Sequence, residues 1–259
     1  MPSVGLGVLF AQNDGEVEGA IQSALQNGYR KIDTAAAYGN EEGVGRGIKD
    51  SGFKRSEIFL TTKVWNTEQG YDKTLRSFEQ SLQRLQTDYV DLYLIHWPVK
   101  SKYKDTYRAL EQLYTEGRAK AIGVCNFSIQ QLEDLMEHTG IVPALNQVEM
   151  HPHLSQNELL EFSKTHQIQL EAWRPIMMGE VLQIPELVAI GNAHDKSAVQ
   201  ISLRWLIQRG VAVIPKSTNP KRIAENIGIF DFELSASQMG QIEALNQNRR
   251  LGEDLSHVE

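Results

Sequence analysis

Cysteine is nearly missing from this chain: Cys125 stands alone among 259 residues. That excludes an internal disulfide and any multi-cysteine metal site, and it suits a reducing, cytoplasmic setting. No metal site is expected. A positive excess is missing too. Lys and Arg number 26 against 33 Asp and Glu, a net charge of −7. Such a chain is a poor electrostatic partner for nucleic acid or an anionic membrane. An anionic small ligand would need a local basic cluster. No apolar run reaches the roughly 20 residues that span a bilayer. No basic stretch followed by an apolar run marks a secretory signal. No linker, low-complexity tract or composition shift divides residues 1–259, which are expected to form one domain.

What is present is an alternation. Short apolar or β-branched runs lie at 4–7, 31–33, 58–63, 90–95, 119–124, 145–148, 169–172 and 211–214. Between them run amphipathic stretches of helical length at 16–27, 41–49, 71–85, 103–116, 129–138, 157–166, 197–208 and 220–227. In the third, Leu75, Phe78, Leu82 and Leu85 recur at helical spacing and define one buried face. Ser197 can cap the helix that follows it. Eight strand–helix repeats imply parallel βαβ units. At this length they fit an α/β fold of the (β/α)8 TIM-barrel type. An open doubly wound sheet would need fewer strands or a second domain. Two further helices are expected at 184–193 and 235–245. The polar tail 246–259 is expected to lie over a barrel face or to fray.

In such a barrel the chemistry sits at the C-terminal ends of the strands. The second strand ends in Asp33, with Tyr38 close behind. The third ends in Thr62-Lys63-Val64-Trp65, and the fourth in His96-Trp97-Pro98. An acid, a phenol, an amine and an imidazole therefore share one rim. Each alone would pass for a turn, a solvated charge or packing. Together they are coherent. An ammonium lowers the pKa of a nearby phenol, normally about 10, and a carboxylate fixes the ammonium. The imidazole can hold a carbonyl oxygen. The set is a proton donor for a carbonyl receiving hydride.

These residues resemble the aldo-keto reductases. The resemblance rests on Asp33-Thr34-Ala35 with Tyr38-Gly39-Asn40-Glu41, on Thr62-Lys63-Val64-Trp65, and on Leu94-Ile95-His96-Trp97-Pro98. It extends to Gly123-Val124-Cys125-Asn126-Phe127, Asn146-Gln147-Val148-Glu149 and Ile214-Pro215-Lys216-Ser217-Thr218. It covers nearly the whole chain and is closest to short bacterial members, the 2,5-diketogluconate and methylglyoxal types, which are monomeric. It implies that Tyr38 is the general acid, that Lys63 and Asp33 tune it, and that His96 orients the substrate carbonyl. Trp65 and Trp97 would line the substrate pocket.

No G-x-G-x-x-G follows a strand, so a Rossmann module is unsupported. After the eighth strand, however, Lys216, Ser217, Thr218, Lys221 and Arg222 open a helix, an anion site on physical grounds. The resemblance implies NADPH, its 2′-phosphate on Lys216, Ser217 and Arg222, and its adenine beside Glu225 and Asn226. Nicotinamide would stack on Trp173, with its carboxamide held by Asn126 and Gln147. Four features depart from the family pattern. Cys125 replaces a Ser, and a thiol is a weaker donor. Arg174-Pro175-Ile176 replaces Ser-Pro-Leu where the nicotinamide ribose and pyrophosphate should lie. Met177 and Met178 follow it. The family's N-terminal hairpin is expected to be absent before Ser3. Truncation, engineering and natural divergence would each give that start, and the cluster of changes around Arg174 fits an engineered variant.

The expected activity is NADPH-dependent reduction of an aldehyde or ketone, with Tyr38 as proton donor. The alternatives are an NADPH-holding redox-sensing regulatory barrel and an isomerase acting on a phosphorylated substrate. The physiological substrate is not legible, because loops build that pocket.

Overall fold

The computed structural model describes residues 1–255 and 257. Among them eight strands form one parallel sheet in chain order. They are β1 (Leu6–Gly7), β2 (Lys31–Asp33), β3 (Phe59–Val64), β4 (Leu92–Ile95), β5 (Ile122–Cys125), β6 (Leu145–Glu149), β7 (Gln169–Trp173) and β8 (Ala212–Val213). Parallel bridges Val4–Val213 and Gly7–Lys216 join the last strand to the first. The sheet thus closes into the expected barrel. No described residue ahead of β1 belongs to a hairpin.

The helices are α1 (Glu16–Gln26), α2 (Glu41–Asp50), α3 (Tyr71–Leu85), α4 (Tyr103–Thr115), α5 (Ile129–Met136), α6 (Asn157–Thr165), α7 (Pro185–His194), α8 (Ala198–Gln208), α9 (Pro220–Ile227) and α10 (Ala236–Glu243). On α3, Phe78, Leu82 and Leu85 are buried and Leu75 packs against the core. Ser197 accepts the Gln200 N–H and closes a reciprocal cap at the start of α8. No helix among the described residues is long and apolar enough to cross a membrane.

Several ends shift by a residue or two from the sequence reading, and two departures bear on the architecture. Strand pairing stops short at the N-terminal ends of β4 and β5, where Val90 and Ala119 meet in a single bridge. The Asp91 N–H still donates to the Leu60 carbonyl at 3.0 Å, while the Asp91 carboxylate takes the Leu60 N–H at 2.9 Å and Arg55 at 2.8 Å, so a side chain shares the pairing with the main chain there. After β7 the chain makes a 3-10 turn, Met177–Gln183, that periodicity did not reveal. Arg174, Met177, Met178 and Gly179 all take positive φ in this loop. The tail crosses the C-terminal rim of the barrel, as detailed below; Ser256, Val258 and Glu259 lie outside the described residues.

The barrel wall tolerates no extra atom at Gly123, where a Cβ would stand 2.4 Å from the Leu145 carbonyl oxygen. Gly19, on the exposed side of α1, would meet nothing within 4 Å. Gly123→Ala should therefore destabilise by about 1–3 kcal/mol through overpacking. Gly19→Ala should stabilise by up to about 1 kcal/mol through helix propensity. Thermal melts of the two variants should shift in opposite directions from the parent.

Candidate active site

Parallel pairing sets the site. Asp33 pairs with Thr61, so Lys63, two residues on, points to the same interior one layer nearer the rim. Lys63 Nζ donates to Asp33 Oδ1 at 2.6 Å, to the Thr34 carbonyl at 2.9 Å and to Tyr38 Oη at 3.5 Å. All three ammonium hydrogens are used. Asp33 and Lys63 are wholly buried, while Tyr38 keeps part of its ring open. The turn Ala36–Tyr38 that carries the phenol is pinned by Asn40. Its amide donates to the Val8 and Ala11 carbonyls, and its oxygen accepts from Thr34.

His96 lies between two rings. Tyr38 approaches it edge-on at 5.6 Å and Trp65 at 5.0 Å. Burial and the Lys63 charge hold the imidazole well below its usual pKa, so it is neutral at physiological pH. Its Nδ1 is buried without a hydrogen-bond partner. A buried N–H is left unpaired less often than an acceptor, which favours the proton on Nε2, the nitrogen left for a ligand.

The electrostatics correct one expectation. Burial dominates at Tyr38 and pushes the phenol up to about 12, although Lys63 pulls it down. Burial also opposes the Lys63 charge, but the Asp33 carboxylate, paired with and hydrogen-bonded to it, outweighs burial and holds the ammonium above its usual range. Burial and then Glu171 raise the Asp33 carboxyl, with Lys63 pulling against them.

The other expected residues fall around this centre. Cys125 is buried with Leu92, Leu94 and Leu145, and burial holds its thiol protonated. Trp173 donates its indole N–H to Asn126 Oδ1 at 2.9 Å, and Asn126 Nδ2 donates to the His96 carbonyl at 3.0 Å. Gln147 gives its amide nitrogen to two carboxylates, Asp33 at 2.8 Å and Glu171 at 2.9 Å. Anything it offers a ligand must come from its carbonyl oxygen. Arg174 lies with its guanidinium carbon 5.5 Å from the Trp173 ring centroid. Pro175 is buried, Ile176 packs against the core, and Met177 is wholly within it. Of the Arg174–Met178 side chains, Met178 is the one that is mostly exposed.

At the start of α9, Asn219 accepts the Lys221 and Arg222 backbone N–H groups. Those amides are already capped, so side chains rather than the helix end must carry the anion site. Lys216, Lys221 and Arg222 are exposed, and no described carboxylate lies within ion-pair distance of Lys221 or Arg222. Ser217 and Asn226 are buried, Thr218 is half-buried, and Glu225 is exposed.

The sequence reading missed the tail's anchorage. Glu149, the last residue of β6, is fully buried. It accepts the Leu251 N–H at 2.7 Å, the Gly252 N–H at 3.0 Å and His151 Nε2 at 3.1 Å. Burial would raise this carboxyl, but those donors hold it below its usual range. Asn66 Nδ2 donates to the Leu255 carbonyl at 2.7 Å. The tail passes so close to Trp173 that a Cβ on Gly252 would stand 2.3 Å from the indole. A cleft of about 780 Å³ opens at Trp97 and Asn126, lined also by Gln156 and Arg250; Asp33, Tyr38, Lys63 and His96 do not line it.

A family model described as the aldo/keto reductase family matches residues 4–247. The chain is 55% identical to glyoxal reductase of Bacillus subtilis (strain 168), covering 97% of this chain and 91% of that protein. It is 45% identical to methylglyoxal reductase DkgA of Escherichia coli (strain K12), over 98% of this chain and 93% of that one. A solved structure of a Gox0644 mutant in complex with NADPH superposes with a TM-score of 0.94 at 45% identity. It covers 100% of this chain and 94% of its own.

The His96 environment has a consequence for stability. Unfolding frees the ring to take a proton near its ordinary pKa of about 6.5. Its contribution is present above that value and is lost as pH falls below it, by up to about 1.4 kcal/mol per unit. Urea titrations at pH 7 and pH 5 should show a steeper loss for the parent than for His96→Gln. Equal losses would show that the folded ring protonates freely.

Proposed function

The chain belongs to the aldo/keto reductase family, and from that premise we propose that it reduces a small aldehyde or ketone with NADPH, using Tyr38 as the general acid. The observation that carries this reading is the buried Asp33–Lys63 pair with Tyr38 Oη at its open end. Bound NADPH supplies a hydride to the carbonyl carbon. Tyr38 Oη gives its proton to the carbonyl oxygen. An alkoxide is about as basic as hydroxide, whose conjugate acid has a pKa of about 15.7, so a phenol near 12 gives up its proton downhill. Lys63 stabilises the phenolate left behind, and Asp33 keeps Lys63 in place. The neutral imidazole of His96 holds the substrate oxygen, with Trp65 and Trp97 as pocket walls.

The residues present fit the cofactor. Lys216, Arg222 and Ser217 would take the 2′-phosphate beside Thr218, with Glu225 and Asn226 at the adenine. Arg222, exposed and with no described carboxylate within ion-pair distance, suits a phosphate. Trp173, held by Asn126, offers a ring to the nicotinamide, and the Gln147 oxygen can accept from its carboxamide. Arg174, Pro175, Ile176 and Cys125 complete the proposed cofactor wall, with Arg174 gripping the pyrophosphate. The similarity of the chain to a glyoxal and a methylglyoxal reductase favours a small, reactive carbonyl. We take it to act as a cytoplasmic monomer.

Tyr38→Phe should lower kcat at least ~100-fold while the NADPH dissociation constant barely moves. A variant that keeps most of its carbonyl reduction would remove Tyr38 from the role of acid.

Cofactor titrations separate the two arginines. Charge-assisted hydrogen bonds are worth roughly 1.5–3 kcal/mol, or about 10–150-fold in binding. Arg222→Ala should weaken NADPH by that order and leave NADH unchanged. Arg174→Ser should weaken both alike, and less at high salt. An unchanged dissociation constant at low salt would rule out the pyrophosphate grip.

A further inference from the structure

The hydrogen-bonded chain does not end at Asp33. Its Oδ1 serves Lys63, while its Oδ2 accepts from Gln147 Nε2 at 2.8 Å. The same nitrogen reaches Glu171 Oε2 at 2.9 Å. Glu171 Oε1 in turn holds Lys31 Nζ in an ion pair. Lys31 and Glu171 are wholly buried. Neither meets the rim: Lys31 opens β2 at the N-terminal end of the barrel, and Glu171 lies mid-strand in β7. A continuous line of polar groups thus runs from Lys31 through Glu171, Gln147, Asp33 and Lys63 to Tyr38.

The charges along this line balance only as a set: two ammonium groups and two carboxylates. Glu171 and Asp33 face each other across a single amide nitrogen, which is tolerable in a dry interior only if each has its own cation. Lys63 serves Asp33, and Lys31 serves Glu171. Around Tyr38 the charged or titratable groups are Lys63, Asp33, Cys125 and His96, the last with its ring at 5.6 Å. Around Glu171 they are Lys31, the Cys125 thiol and, across Gln147, Asp33.

We propose that Lys31 and Glu171 are positioning residues for the reaction: from deeper in the barrel interior they fix the Gln147 amide and set the charge that Asp33 and Lys63 present to the Tyr38 phenol. This rests on the reading of Tyr38 as the acid. Neither residue touches the substrate. Their effect reaches the phenol as a field, so it must change sign with the charge removed.

The test uses alcohol oxidation with NADP+, which requires the phenolate, and follows kcat against pH. Glu171→Gln leaves Lys31 uncompensated and favours the phenolate. Its profile should move to lower pH by about one unit, the scale of a buried charge acting at this remove. Lys31→Met leaves Glu171 uncompensated and should move the profile to higher pH. Opposite displacements, with NADP+ binding retained, are the expected result. Superimposable profiles, or displacements in the same direction, would overturn the proposal, because packing damage has no sign. On the rising limb below the phenol's range, lost packing lowers kcat and mimics a move to higher pH, so if one variant does not fold the decision rests on Glu171→Gln, or Glu171→Ala in its place, whose expected rise in kcat at a given pH damage cannot produce. Tyr38→Phe is the control: if the pH-dependent rise survives in it, the reading of Tyr38 fails rather than the role of the pair.

Discussion

A lysine and an aspartate held 2.6 Å apart in the dry centre of the barrel are the constraint on which the rest of the molecule depends. Burying two charges costs several kcal/mol per ion, and their attraction repays it only when every remaining donor and acceptor is met. The barrel meets them. The Thr34 carbonyl and the phenol take the other hydrogens of Lys63, and Gln147 takes the second oxygen of Asp33. The pair is therefore weak as a source of stability and strong as a fixed geometry. Strand register, the Asn40 pin and the inward-facing amide all keep that geometry from relaxing.

The rim is held as firmly as the centre, by different means. Glu149 gathers two consecutive amides of the tail and a histidine onto one buried carboxylate. This draws the tail across the C-terminal face until Gly252 touches Trp173. Trp173 passes the constraint to Asn126, and Asn126 to the His96 backbone. The segment farthest along the chain thus bears on the imidazole that faces the proposed substrate, through three contacts and no catalytic group of its own.

Much of this was legible in the residues. The strands announced themselves because buried parallel strands are short, apolar and β-branched, and Asp33, Lys63 and His96 stood out because each ends one. Lys31 and Glu171 did not stand out. They lie within or at the closed end of strands, where a polar residue reads as an outward-facing one, and only the barrel's curvature brings them together. Glu149 was visible as part of a motif, but the tail amides it holds, at Leu251 and Gly252, lie about a hundred residues away. The loop from Arg174 to Gly179 was illegible for another reason. Its run of left-handed residues includes two methionines, and no local preference asks for that conformation. Within the loop Met177 is wholly buried in the core while Met178 is exposed.

The contest at Tyr38 shows why magnitudes had to be weighed rather than signs. A neighbouring ammonium suggests a lowered phenol pKa, and Lys63 does pull that way. Burial pulls harder, because removing water from a phenolate withdraws solvation that one cation, already shared with Asp33 and Thr34, does not replace. The phenol consequently stays protonated throughout the physiological range. For an acid that must be loaded before each reduction this is the useful state. It needs no finely poised pKa, since the oxygen it protonates becomes a far stronger base as hydride arrives. The role left to Lys63 is on the product side, where phenolate has formed and an ammonium at its oxygen is worth most. Burial keeps the donor loaded and the ion pair stabilises what donation leaves behind. Both come from placing one lysine at the end of a strand, beneath a tyrosine.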